Sequence, residues 1–177
     1  MKLKYLAVVL SLVVSSCVYA PPEPEVWMEK GASLAQYKTF EVLPALNETG
    51  KTFDFDVGAT LTAKLIAKLR AKGYSVQLAY SPGEDVLLLI SSVVVLEEGS
   101  LIALLPEAAY CTVRTALIDK KTGELLGEMV TSKEFRTGGL LEGGGAGAIG
   151  LAGTGPLLID LTAEGIVNEL EKRIKQP

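Results

Sequence analysis

The segment that most constrains the fold is Val86 to Leu96, VLLLISSVVVL, eleven residues broken in their apolar character only by Ser91 and Ser92. A permanent membrane helix needs about 20 apolar residues, so this run is too short to span a bilayer. It is also too rich in β-branched valine and isoleucine for an ordinary helix. It reads as a central strand, and a central strand requires a sheet around it. Gln36 to Leu43 alternates in part, with Phe40 and Val42 on one side and Thr39 and Glu41 on the other, and stops at Pro44. Tyr74 to Tyr80 is a further strand. Tyr110 to Asp119 and Glu124 to Phe135 flank Lys120-Lys121-Thr122-Gly123 and read as a β-hairpin. Two helices complete the pattern. In Val57 to Lys72, Val57, Leu61, Leu65 and Leu69 recur every four residues, Asp54 or Asp56 supplies the cap, and Gly73 the C′ position. In Pro156 to Lys175, Leu158, Ile166, Leu170 and Ile174 form an apolar stripe, weakened at Gly165 by about 1 kcal/mol relative to alanine. The order strand-helix-strand-strand-strand-strand-helix predicts an α+β domain: a mostly antiparallel sheet of about five strands with two helices on one face.

The chain opens with MKLKYLAVVLSLVVSSC. Lys2 and Lys4 form a positive n-region, and Tyr5 to Val14 a ten-residue apolar core suited to a signal peptide. Val14, Ser15, Ser16 and Cys17 then match the bacterial lipobox at every position: a branched apolar residue, two small residues and the cysteine that receives lipid. The competing cut after Val18-Tyr19-Ala20 puts Pro21 just past the scissile bond, where signal peptidases accept it poorly. Cleavage before Cys17 leaves 161 residues, enough for one domain. Several acyl chains on Cys17 give stable anchoring where a single chain does not. Val18 stands where an aspartate would favour inner-membrane retention, so the outer membrane is expected if the organism has one.

The expected organisation is a signal peptide over 1–16, a lipidated and proline-rich tether over 17–33, and a single domain over 34–177. Ala20 to Val26 reads APPEPEV, which favours extended polyproline II. At about 3.1 Å per residue, a tether from Val18 to Ser33 holds the domain roughly 40–50 Å from the lipid. Trp27 and Met28 interrupt it and either rest on the domain or enter the headgroup layer.

Charge and residue inventory exclude several classes of function. The formal net charge is −4, and −6 once Lys2 and Lys4 leave with the leader. Such a chain has no basic stripe for phosphates, so no nucleic-acid partner is expected. Histidine is absent, which removes the commonest general base and metal ligand. Cys111, within an apolar run, reads as a small core residue. Asp54 and Asp56 form an acidic pair on one side of an extended chain, better read as capping and solvation than as a cation site or an acid–base pair. Ser91 and Ser92 lack a histidine base and a Gly-x-Ser-x-Gly context. The basic residues toward the end of the first helix read as a solvated face. No catalytic residue, cofactor or metal is assigned, and the chain reads as a non-enzyme.

The glycine-rich segment 138–155, GGLLEGGGAGAIGLAGTG, is the most unusual stretch. Gly139, Gly143, Gly147 and Gly155 share a spacing of four, with Leu151 in the vacant place. Small residues at that spacing let backbones approach closely. The stretch is better read as a loop feeding the last helix, with a packing or membrane-contacting segment as the alternative. A phosphate loop is disfavoured, because no Gly-Lys-Ser/Thr follows. Ser100 to Ala109, SLIALLPEAA, is more apolar than a loop requires and is a candidate cover for an exposed face.

The leader with Cys17, the QYKTFEV start, the helix ending in Lys72-Gly73-Tyr74, the LIDKKTGELL hairpin and the glycine-rich stretch together resemble a family of small, uncharacterised bacterial lipoproteins. The element order also resembles the small α+β domains of envelope-assembly lipoproteins, such as activators of penicillin-binding proteins and the curli secretion pore. The second likeness is one of fold, which does not transmit function; the anchor, the extended spacer and the missing catalytic residues point to a membrane-anchored, non-enzymatic module that binds another envelope component. Two rivals stand beside it: a structural protein that self-assembles through the glycine-rich segment, and an enzyme working through carboxylates or a serine–lysine pair.

Overall fold

The structure is a computed structural model and describes residues 23–77, 85–98, 108–136 and 154–175. Seven strands and two helices follow one another as β1 (Glu25–Met28), β2 (Thr39–Val42), β3 (Leu46–Asn47), α1 (Val57–Ala71), β4 (Ser75–Gln77), β5 (Val86–Glu97), β6 (Ala108–Asp119), β7 (Leu125–Arg136) and α2 (Thr154–Lys175). The α+β expectation holds. The expected order is present, with β1 and β3 added, so the sheet has seven strands and not about five.

The apolar run is the pivot of the sheet, whose order is β1-β7-β6-β5-β2-β4, with β3 pairing β5 beyond the end of β2. The three twelve-residue strands β5, β6 and β7 form an antiparallel meander, and β1 adds antiparallel to β7. The short strands β2 and β3 join β5 in parallel, and β4 joins β2 in parallel through the α1 crossover. The sheet is therefore mixed, with its long pairings antiparallel.

Strand parity divides the sheet into two faces. Leu87, Leu89 and Val93 of β5 align with Leu117 and Val113 of β6 and Met129 of β7, and all are fully buried under the helices. Along α1 the side chains at 57, 61, 65 and 69 are buried, as the four-residue recurrence requires. The Asp56 carboxylate accepts from the Ala59 N–H at 2.9 Å and caps the helix, and Gly73 closes it at φ +86°. Leu158, Ile159, Ile166 and Leu170 of α2 are fully buried, each worth about 1.5–3 kcal/mol against exposure. Gly165 has a packing reason: a Cβ there would lie 3.0 Å from Thr131 Cγ2 and from Lys133 Cε, so its bareness lets α2 settle onto β7.

The basic residues of α1 form a seam and not a solvated face. Lys64 and Lys68 reach Asp160 of α2 at 3.1 Å each, Lys68 also reaches Glu164 at 3.4 Å, and Lys72 reaches Glu171 at 2.7 Å. Arg70 remains exposed.

Four residues of the stretch expected as tether form β1. Residues 25–28 lie in register with 130–127, and the Glu29 N–H continues the pairing to the Leu126 carbonyl at 2.8 Å. Val26 and Met28 pack on the core while Trp27 stays about half exposed. The physical reason is Gly127. A Cβ there would lie 2.6 Å from the Trp27 carbonyl oxygen, so only glycine lets this segment reach β7.

Candidate functional surface

Among the described residues, the helices cover one face of the sheet and leave the other open. The register places every large hydrophobic residue that is exposed among the described residues on that open face. Trp27 lies opposite Glu128, Leu46 opposite Ser92, Val95 opposite Thr112, Tyr110 opposite Glu97, and Leu125 opposite Ile118. Their exposures run from 38% for Val95 to 56% for Leu46, while their neighbours Leu88, Ile90 and Ala116 are only half-buried. Isolated apolar residues on a surface are ordinary; here all five share one face, set among polar partners.

Polar groups on this face pair with one another. Arg114 and Glu128 meet at 3.4 Å across β6 and β7, and the Thr112 and Ser132 hydroxyls lie 3.0 Å apart. Lys51 and Glu97 pair at 2.6 Å near the end of β5. At the opposite end, Lys120 pairs with Glu41, whose carboxylate is nearly buried. Beside that pair the Tyr37 hydroxyl donates to Asp119 Oδ2 at 2.6 Å. Burial and then the Asp119 carboxylate push Tyr37 up to about 12. The Tyr37 hydroxyl and then the Thr122 N–H hold Asp119 below the usual carboxylate range. These groups lock the β6–β7 turn onto β2. A shallow depression of about 280 Å³ lies at the β1 edge, lined by Glu25, Val26, Trp27, Glu128 and Val130.

The sequence candidates separate in space. Val14, Ser15, Ser16 and Cys17 lie outside the described residues, as do Gly139, Gly143 and Gly147. Residues 99–107 also lie outside them. Gly155 is described, at the start of α2, where its N–H donates to Glu98 Oε1 at 3.1 Å. A Cβ on Gly155 would stand 2.9 Å from the Phe55 ring, so this glycine serves close packing. Asp54 is exposed and Asp56 is a cap, so the acidic pair builds no site. Ser91 points into the helix-covered core, 3.0 Å from the Thr115 hydroxyl, whereas Ser92 belongs to the open face. Cys111 is fully buried on the helix side, and burial pushes its thiol up to about 11. Among the described residues no three metal-ligating side chains cluster, and no helix is long and apolar enough to cross a membrane.

No family model and no curated protein matches the sequence. Solved structures do match in fold. The PelC dodecamer from Paraburkholderia phytofirmans aligns over 80% of this chain and 96% of its own, with a TM-score of 0.52 and 16% identity. A hypothetical protein from Chlamydia trachomatis aligns over 80% and 99%, with a TM-score of 0.55 and 11% identity. A Xanthomonas campestris protein assigned to a domain-of-unknown-function family aligns over 90% and 99%, with a TM-score of 0.54 and 11% identity. Chains named as lipoproteins, from Neisseria meningitidis and Acinetobacter baumannii, also match, at TM-scores of 0.47 and 0.45. At these identities the shared property is the fold.

Proposed function

We propose that this chain is a bacterial envelope lipoprotein, cut before Cys17 and held to the membrane by lipid on that cysteine, whose domain is a non-enzymatic binding or assembly module. The observation that carries the reading is the complete lipobox of Val14, Ser15, Ser16 and Cys17 behind a ten-residue apolar core. The outer membrane, facing the periplasm, is its expected site if the organism has one. The open face with its five exposed hydrophobics supports a contact function over catalysis. The test is Cys17→Ala. It should abolish incorporation of labelled fatty acid and block processing by the lipoprotein signal peptidase. Unchanged lipid incorporation would overturn the reading.

A second reading, self-assembly into a structural envelope protein, is favoured by the PelC structure, which is dodecameric. In this reading Gly139, Gly143, Gly147 and Gly155 form a packing segment. Crosslinking in membranes should then detect copy–copy contacts through residues 138–155, and Gly143→Leu with Gly147→Leu should remove them while the domain stays folded. A native protein that gives no crosslink returns the segment to a loop.

A further inference from the structure

We propose that the outer edge of β1 is a strand-addition site for an extended segment of another envelope protein, one in which lysine or arginine alternates with aliphatic residues. The inference rests on the anchored binding-module reading above and adds the place and the partner's chemistry. It begins with the ladder. β1 is the terminal strand of the sheet on the β7 side. Glu29 follows in register opposite Leu126, and its N–H donates to the Leu126 carbonyl, so the two form a hydrogen-bonded pair. Alternation along the strand then turns the backbone groups of Trp27 and Glu25 toward β7 and those of Val26 and Met28 away from it. The N–H and carbonyl groups of Val26 and Met28 thus line the edge, and no described residue pairs with them.

Strand parity gives this edge two unlike faces. Val26 and Met28 turn to the helix side, where they are partly buried against the core. Glu25, Trp27 and Glu29 turn to the open side and are exposed. An added strand therefore meets apolar side chains on one face and carboxylates on the other. Aliphatic residues beside Val26 and Met28 extend the core, and basic residues opposite Glu25 and Glu29 make cross-strand pairs of opposite charge. A lysine or arginine set between those carboxylates also lies over the half-exposed Trp27 ring, a favoured seat for a cation.

The same charges disfavour a second copy as the occupant. Two β1 edges that engage Val26 and Met28 of both copies pair antiparallel about Trp27. That register sets Glu25 of each copy opposite Glu29 of the other, and like charges directly opposite are destabilising. Natural edge strands carry lysine, proline or a bulge as protection, and residues 25–28 carry none of these. Shortness and acidity are the protection that remains, and a basic strand overcomes the acidity.

The test uses the full lipidated protein in dodecyl maltoside. Trp27 is the only tryptophan of the chain, so its emission reports on this edge directly. The probes are capped octapeptides: alternating Lys–Val, the same sequence N-methylated at every residue, and alternating Glu–Val. Lys–Val should shift the Trp27 emission to the blue in a saturable way and slow amide exchange at Val26 and Met28. The N-methylated peptide, which cannot donate to the ladder, should bind at least about tenfold more weakly. Glu–Val should not bind. Glu25→Lys combined with Glu29→Lys, both at exposed positions, should reverse the preference between Lys–Val and Glu–Val while the fold stays unchanged. Equal binding of the N-methylated peptide would reduce the effect to charge adhesion and overturn strand addition. An unshifted emission with every peptide, or an unchanged preference in the Glu25→Lys, Glu29→Lys protein, would overturn it as well. A Trp27 emission that moves to the blue with protein concentration alone would give the edge to a second copy, also against the proposal. Each of these results leaves the anchor standing, because Cys17→Ala and lipid labelling test the anchor separately.

Discussion

Replacing Gly58 with alanine tests how the two layers are held together. Gly58 is buried in the first turn of α1, and a Cβ there would stand 2.2 Å from the Ala45 carbonyl oxygen. That atom is backbone and cannot rotate away. An ordinary contact requires about 3.5 Å, so helix or strand must move by more than 1 Å. Ala45 is also bound through the bridge that movement would strain: its N–H donates to Thr62 Oγ1 at 2.9 Å, and that hydroxyl donates to the Gly58 carbonyl at 2.8 Å. Overpacking costs about 1–3 kcal/mol, and loss of a partly buried hydrogen bond about 1 kcal/mol. The gain in helix propensity offsets at most about 1 kcal/mol. Gly58→Ala should therefore destabilise by roughly 1–3 kcal/mol, or about 3–10 °C in Tm for a domain of this size. The assay is thermal and urea unfolding of residues 23–177, with exposed Ala59→Gly as the control for propensity. A Gly58→Ala protein as stable as the parent, or more so, would refute the close approach of α1 to the β2–β3 segment.

Two further predictions follow from the same packing. Asp119 has a lowered folded pKa, so its contribution to stability is present above the unfolded value near 3.9 and is lost as pH falls below it; Tyr37, raised to about 12, contributes below about 10 and loses that contribution as pH climbs toward 12. Tyr37→Phe should therefore destabilise the domain at neutral pH by an amount that shrinks in acid, and a pH-independent difference in urea midpoints would contradict the hydrogen bond to Asp119. A fragment of residues 34–177 loses β1 and the partly buried Val26 and Met28, so it should unfold about 1–3 kcal/mol more easily than residues 23–177. Equal stability of the two fragments would show that β1 adds nothing to the sheet.

The long elements were legible because each repeats its signal many times. The four-residue recurrence through Leu61, Leu65 and Leu69 and the valine-rich run of β5 are local patterns with one physical solution each. β1 and β3 were not legible. β3 has two residues, too few for any period, and β1 follows prolines that speak for polyproline II. What makes β1 a strand is Gly127, a hundred residues away, and no local reading connects the two. The α1 lysines misled for the same reason, since their partners Asp160, Glu164 and Glu171 stand far along the chain. Cys111 was readable from its apolar neighbours alone. The open face was hidden because it belongs to strand register: Trp27, Leu46, Val95, Tyr110 and Leu125 become one surface only when the strands are aligned.

The central claim is that lipid on Cys17 holds this domain at a membrane. Its most direct test is the intact mass and N-terminal fragmentation of the native protein extracted from membranes. The account predicts a chain that begins at Cys17 and carries a diacylglyceryl group, with or without an amide-linked acyl chain. A mature protein beginning after Ala20, or one that retains an unmodified Cys17, would contradict it.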